Sequence, residues 1–177
     1  MPDAIPAFVS GAVRMQPTTS EPDRASLGSS SGVAMTGHCL CAAVTLTVSG
    51  DHDPRVGACH CRMCQRWSGG LFLCFTADAA AVTVTGEVTR YRSSAFAERA
   101  FCPRCGSHLW FRDTKDGGEP RRYELMPGLF DAARDWPLRS EIYVDRAMAS
   151  VRLGGDHRRE SRAEYEAENP FVEGDAA

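Results

Sequence analysis

No apolar run in the 177 residues approaches the ~20 needed to cross a bilayer, so the sequence carries no mark of a transmembrane helix. Neither sign of charge dominates: 20 Lys and Arg against 23 Asp and Glu leave a net −3. That balance gives no global basic footprint for nucleic acid. The opening Met1-Pro2-Asp3-Ala4-Ile5-Pro6 lacks the basic start and apolar core of a secretory signal. A reducing, cytoplasmic setting is therefore expected, where thiols stay free to bind metal. No repeat of domain length is present, and the length suits one domain. Hydrophobic content of 43% and charged content of 24% exclude wholesale disorder.

Residues 1–34 read as an N-terminal tail, rich in Pro, Ser and Gly, and Met35 leaves room for a start-site artefact ahead of it. The folded domain is expected over 35–170, with a short tail at 171–177. That domain reads as β-rich. Val44-Thr45-Leu46-Thr47-Val48 alternates apolar and polar, and Leu71-Phe72-Leu73-Cys74-Phe75 is an apolar run of strand length. Val82–Thr85 and Val88–Tyr91 flank Gly86-Glu87 and predict a hairpin. His108–Phe111, Tyr123–Met126 and Glu141–Val144 are further strand candidates, with a loop at Gly117-Gly118-Glu119-Pro120. Ser161-Arg162-Ala163-Glu164 fits a capping box opening a short C-terminal helix.

What the chain does have is cysteine: eight, seven of them in three clusters. These are Cys39-Leu40-Cys41, Cys59-His60-Cys61-Arg62-Met63-Cys64 and Cys102-Pro103-Arg104-Cys105. Short spacings let two thiolates on one turn reach a single ion, and a structural zinc takes four such ligands. Seven thiols divide into one closed set of four and one set of three with a position left for substrate. The outer clusters, two thiols each, are expected to meet and clip both ends of the sheet; the middle cluster holds an ion alone. Two zinc ions are favoured over one zinc with spare thiols, a disulfide framework or an iron–sulfur cluster.

Cys74, within an apolar strand, is expected as core filler, with a fourth ligand of the middle site as the alternative. His60 lies between two ligands and either projects toward substrate or is a solvated or backbone-bonded imidazole. His38 and His108 are expected to be structural or exposed, and His52 and His157 to lie on the surface. Arg62, Arg66, Arg99 and Arg104 flank the clusters and offset thiolate charge, or grip a substrate carboxylate.

Gly37-x-Cys39-x-Cys41, Cys59-His60-Cys61-x-x-Cys64-x-x-Trp67-Ser68-Gly69 and Phe101-Cys102-x-x-Cys105-Gly106 together resemble the glutathione-dependent formaldehyde-activating enzymes, a family that includes the centromere protein V domain. The resemblance runs from about Met35 to about Glu168. It implies a mainly β, Mss4-like β-tent built from antiparallel sheets around zinc, with a short C-terminal helix. It assigns Cys39, Cys41, Cys102 and Cys105 to a structural zinc, and Cys59, Cys61 and Cys64 to a reactive zinc. Three positions depart from the family pattern: Ala42 stands where glycine is common, Leu71 where proline is, and Glu141 where histidine is.

The implied activity is a carbon–sulfur lyase or thiol-adduct reaction, joining glutathione or another small thiol to formaldehyde, or the reverse cleavage. Catalytic groups beyond the three-thiol zinc site are not identified by the resemblance. The competing reading is a non-catalytic, zinc-organised module binding protein or nucleic acid, which the net acidity disfavours. A redox enzyme of methionine sulfoxide reductase type would need a reactive cysteine separate from its zinc, and here three thiols crowd one segment.

Overall fold

A computed structural model describes residues 34–114 and 121–172. The tail at 1–33, the loop expected at 117–120 and residues 173–177 lie outside the described residues.

The fold is mainly β. A small antiparallel sheet runs β1 (Met35–His38), β2 (Thr45–Val48) and β5 (Val82–Thr85), in the order β1-β2-β5. The large sheet has eight strands: β3 (Val56–Cys59), β4 (Phe72–Asp78), β6 (Thr89–Arg92), β7 (Ala97–Phe101), β8 (His108–Asp113), β9 (Arg122–Leu125), β10 (Leu138–Ile142) and β11 (Arg158–Glu160). Its order is β11-β10-β3-β4-β9-β8-β7-β6. Most pairings are antiparallel, as expected, but β10 runs parallel to both β3 and β11. Two short helices complete it, α1 (Arg62–Ser68) and α2 (Arg162–Glu168). Ser161 and Glu164 form the full capping box at the start of α2.

The predicted hairpin across Gly86 does not form. β5 pairs with β2 in the small sheet, whereas β6 pairs with β7 in the large one. Gly86 takes φ 104°, and a Cβ there would stand 2.1 Å from the Ala43 carbonyl oxygen, so the chain crosses between sheets over that backbone. Alternation alone does not tell a hairpin from two strands sent to different sheets.

Directly opposed residues of neighbouring strands share a face. Ala100, Trp110, Leu125 and Phe75 form one such row across β7, β8, β9 and β4. All four are buried in the main core with Val44, Leu46 and Val48, between the two sheets. The next row, Arg99, Phe111, Glu124 and Thr76, faces the other way, toward α1. β4 is buried on both faces over Phe75, Thr76 and Ala77, whereas Leu73, inside the apolar run, is exposed.

Candidate metal centres

All eight cysteines are free thiols. The sulfurs of Cys39, Cys41, Cys102 and Cys105 lie within 4.8 Å of one another, and so do those of Cys59, Cys61 and Cys64. Cys39–Cys41 and Cys41–Cys102 separations of 3.6 and 3.8 Å are far too long for disulfides. They match the edge of a tetrahedron around zinc, about 3.8 Å for Zn–S bonds of about 2.3 Å. The donor set therefore fits a tetrahedral ion.

The four-thiol cluster joins the loop after β1 to the turn between β7 and β8, so it ties the small sheet to the large one. The expected clip between two ends of one sheet is thereby corrected to a clip between sheets. Gly106, at φ 73°, closes the second loop by donating its N–H to the Cys102 carbonyl. Ser107 hydrogen-bonds Cys105 at 3.3 Å through its hydroxyl and lowers that thiol to about 5. Ala42 occupies the left-handed region at φ 57°, so the turn after Cys41 carries a Cβ in a conformation that favours glycine.

The three-thiol cluster is built by β3 and α1. Cys59 ends β3, and Cys61 caps α1 by accepting the Cys64 N–H at 3.4 Å. Gly69, at φ 74°, ends that helix. No helix was expected here, since three thiols in six residues read as a bare knuckle and α1 has only seven residues. Gln65 fastens it by donating to the carbonyls of His60, 2.6 Å, and Arg146, 2.8 Å.

Arg99 reaches this cluster from β7, 35 residues away in sequence, and its Nη2 donates to Cys64 Sγ at 3.4 Å. It is 3% exposed, and its guanidinium carbon lies 5.7, 5.4 and 5.1 Å from the ring centroids of Trp67, Phe72 and Phe111. Its Nη1 is buried without an acceptor. Cys59 and Cys61 donate to Cys64 and, with Arg99, hold that thiol well below its usual value. The sequence-local cations Arg62 and Arg66 are exposed on α1, so the cation at the thiols comes from β7 instead. Strand register, invisible in sequence spacing, is what brings it in.

Trp67 stacks on His108 at 4.6 Å and on Tyr91 at 6.3 Å, forming one wall above the thiols. Cys74 is in neither thiol cluster; it is partly buried and packs against the hydrophobic cluster of Cys61, Cys64, Phe72 and Tyr143. His60 is 1% exposed and donates from Nε2 to Glu141 Oε1 at 2.7 Å. His157 holds the other Glu141 oxygen at 2.9 Å, with Arg159 at 3.3 Å. His157 thus has a buried side chain rather than a surface one. His52 is also buried, stacked on Trp136 at 5.6 Å with its Nδ1 2.9 Å from the Gly50 carbonyl. Each imidazole has a partner that lies elsewhere in the chain or across a turn, which a polar local sequence does not disclose. His38 is exposed, as expected.

Fold and site define a mainly β domain with two cysteine clusters able to hold metal ions, one of four thiols and one of three. The sequence model of the glutathione-dependent formaldehyde-activating enzyme family matches residues 34–146. The chain belongs to this family. It is 33% identical over 110 residues to an uncharacterized lyase of Schizosaccharomyces pombe, covering 62% of this chain and 77% of that protein. It is 27% identical over 159 residues to a "Putative glutathione-dependent formaldehyde-activating enzyme" of Halomonas elongata, covering 78% and 98%. A crystal structure of a Rhodobacter sphaeroides protein superposes with TM-score 0.46 at 22% identity, covering 59% of this chain and 99% of that one. Among the described residues, no helix is long and apolar enough to cross a membrane.

Proposed function

We propose that this chain is a zinc-dependent carbon–sulfur lyase that joins a small thiol such as glutathione to formaldehyde or a related aldehyde, and cleaves the adduct in reverse. Cys39, Cys41, Cys102 and Cys105 hold a structural zinc, and Cys59, Cys61 and Cys64 hold the reactive one. The functional unit spans 35–170 and works in a reducing, cytoplasmic setting. The observation that carries the reading is the pairing of three mutually close thiols with a buried cation whose Nη1 has no acceptor. Zinc held by three thiolates supplies Lewis acidity and one position for an external thiolate. Arg99 offsets the added negative charge there, and Trp67, Phe72 and Phe111 exclude water around it. The names of the relatives fit this chemistry.

Cobalt substitution tests it, because thiolate-to-metal charge-transfer bands report each sulfur added. Glutathione should intensify those bands saturably, and Cys61→Ser should abolish the change. Flat spectra with glutathione and other small thiols, together with no formaldehyde turnover, would replace the enzyme with a metal-organised binding module.

A further inference from the structure

The row that brings Arg99 to Cys64 also carries a carboxylate with no role in either thiol cluster. Phe111 pairs with Arg99 on one side and with Glu124 on the other, so the backbones of Arg99 and Glu124 are about 10 Å apart on one face. Glu124 also stands opposite Thr76 of β4, whose hydroxyl donates to both its oxygens at 3.1 Å. The Cys74 thiol stands two residues back on the same face of β4, on the diagonal from Glu124. Cys74 in turn feels the charge of Cys64 and packs in the cluster that contains Cys61, Cys64, Phe72 and Tyr143. Packing thus runs from the three-thiol cluster to Cys74, and the face of β4 that carries Cys74 also carries Thr76, the partner of Glu124.

The surroundings of Glu124 are those of a working carboxyl group. Burial pushes it above the usual carboxylate range, against the bonds from Cys74 and Thr76 and the charges of Arg139 and Arg122. Among the described residues it has no ion-pair partner. Glu124, Cys74 and Cys59 nevertheless all remain partly accessible to solvent. A desolvated carboxylate without an ion pair costs stability, and such groups collect where proton transfer is needed.

From this juxtaposition we propose that Glu124 is the acid–base residue of the thiol–aldehyde reaction, a proposal that rests on the function given above. The Glu124 carboxylate takes the proton of the incoming thiol as its S–H bond breaks. The sulfur electron pair then forms the S–C bond with the aldehyde carbon, and the C=O π pair moves to oxygen. That oxygen takes the proton back from Glu124, giving the hydroxymethyl thioether and restoring the carboxylate. Thiol plus aldehyde equals product, with no other reactant.

Proton counting tests the assignment apart from turnover. A thiol with pKa of about 8.5 is almost wholly protonated at pH 7, so binding as thiolate must shed about one proton. Calorimetry of the zinc-loaded protein with glutathione, in two buffers of different ionisation enthalpy, reads where it goes. The wild type should release close to none, and Glu124→Gln close to one per thiol bound. Turnover of Glu124→Gln should fall about 10²–10⁴-fold at nearly unchanged thiol affinity, with partial recovery in Glu124→Asp. Equal proton release, or turnover within threefold of wild type, overturns the proposal, as does a release that changes in Cys74→Ala but not in Glu124→Gln. If the wild type itself neither binds thiol nor turns over formaldehyde, the functional reading falls and takes this one with it, a result that needs no variant to recognise.

Discussion

Replacing Arg99 with Met removes a charge while leaving its aromatic surroundings filled. The methionine stem occupies the space among Trp67, Phe72 and Phe111, and the buried Nη1 without an acceptor disappears. Lost cation–π attraction and relieved desolvation oppose each other, so stability should change by no more than about 1 kcal/mol. The effect on thiol binding is larger. Arg99 Nη2 is 3.4 Å from Cys64 Sγ, and a fourth thiolate stands one tetrahedral edge further, about 3.8 Å. The new negative charge is then at most about 7 Å from the guanidinium, where an effective dielectric of about 20 gives roughly 2.4 kcal/mol. That is about 50-fold in affinity. The charge is buried, so the loss should persist at high salt. Glutathione titration of the cobalt-loaded variant, read by charge-transfer absorbance, measures it, with thermal melting as the control for folding. Affinity within threefold of wild type in a normally folded variant would refute the electrostatic role of Arg99.

The two clusters should fail differently: Cys102→Ser gives insoluble or molten protein, because a structural zinc supplies ~10–16 kcal/mol of apparent folding free energy, whereas Cys61→Ser stays folded and loses one of two metals by elemental analysis. Ala42→Gly should raise stability by about 0.5–1 kcal/mol in urea unfolding, since the left-handed φ of 57° costs an L-residue more than glycine's added chain entropy. Glu141→Gln should cost about 3 kcal/mol at pH 7 by leaving the buried imidazoles of His60 and His157, and the exposed Arg159 beside them, without their anion. Burial opposes ionisation of Glu141, but hydrogen bonds from His157 and His60 outweigh it and hold the carboxyl below its usual value. That stabilisation is full above about pH 4.3 and lost as pH falls through the depressed value, so urea unfolding should show the two proteins converging in acid.

Which parts of this molecule its sequence discloses depends on how far apart the partners are. The four-and-three division of thiols follows from local spacing, and the sulfurs fall into those same two groups. The C-terminal helix is legible because its capping box is complete within four residues. β2 is legible from its period, since it is covered on alternate residues, and β4 from the strand length of its apolar run. What escapes is register. Nothing in the spacing of Arg99 from Cys64, or of Glu124 from Cys74, marks them as neighbours, whereas Arg62 and Arg66 look closer and lie on the exposed side of α1. The same holds for His157, whose polar sequence surroundings suggest a surface position and whose side chain is buried against Glu141.

Glu141 shows how a single carboxylate acquires meaning only in three dimensions. It accepts from His60, the residue between two cluster thiols, and from His157, which lies just ahead of β11. Through Glu141, β10 and the segment leading into the last strand are joined to the three-thiol loop by charge-assisted hydrogen bonds. Glu141 therefore binds the C-terminal segment to the side of the sheet that carries the three thiols. The thiols of that cluster, the Arg99 cation and the Glu124 carboxyl stand on three separate supports: the loop of β3 and α1, β7, and β9. Their relative placement is set by strand pairing rather than by any one loop, which is the condition for holding reacting groups to a fixed geometry.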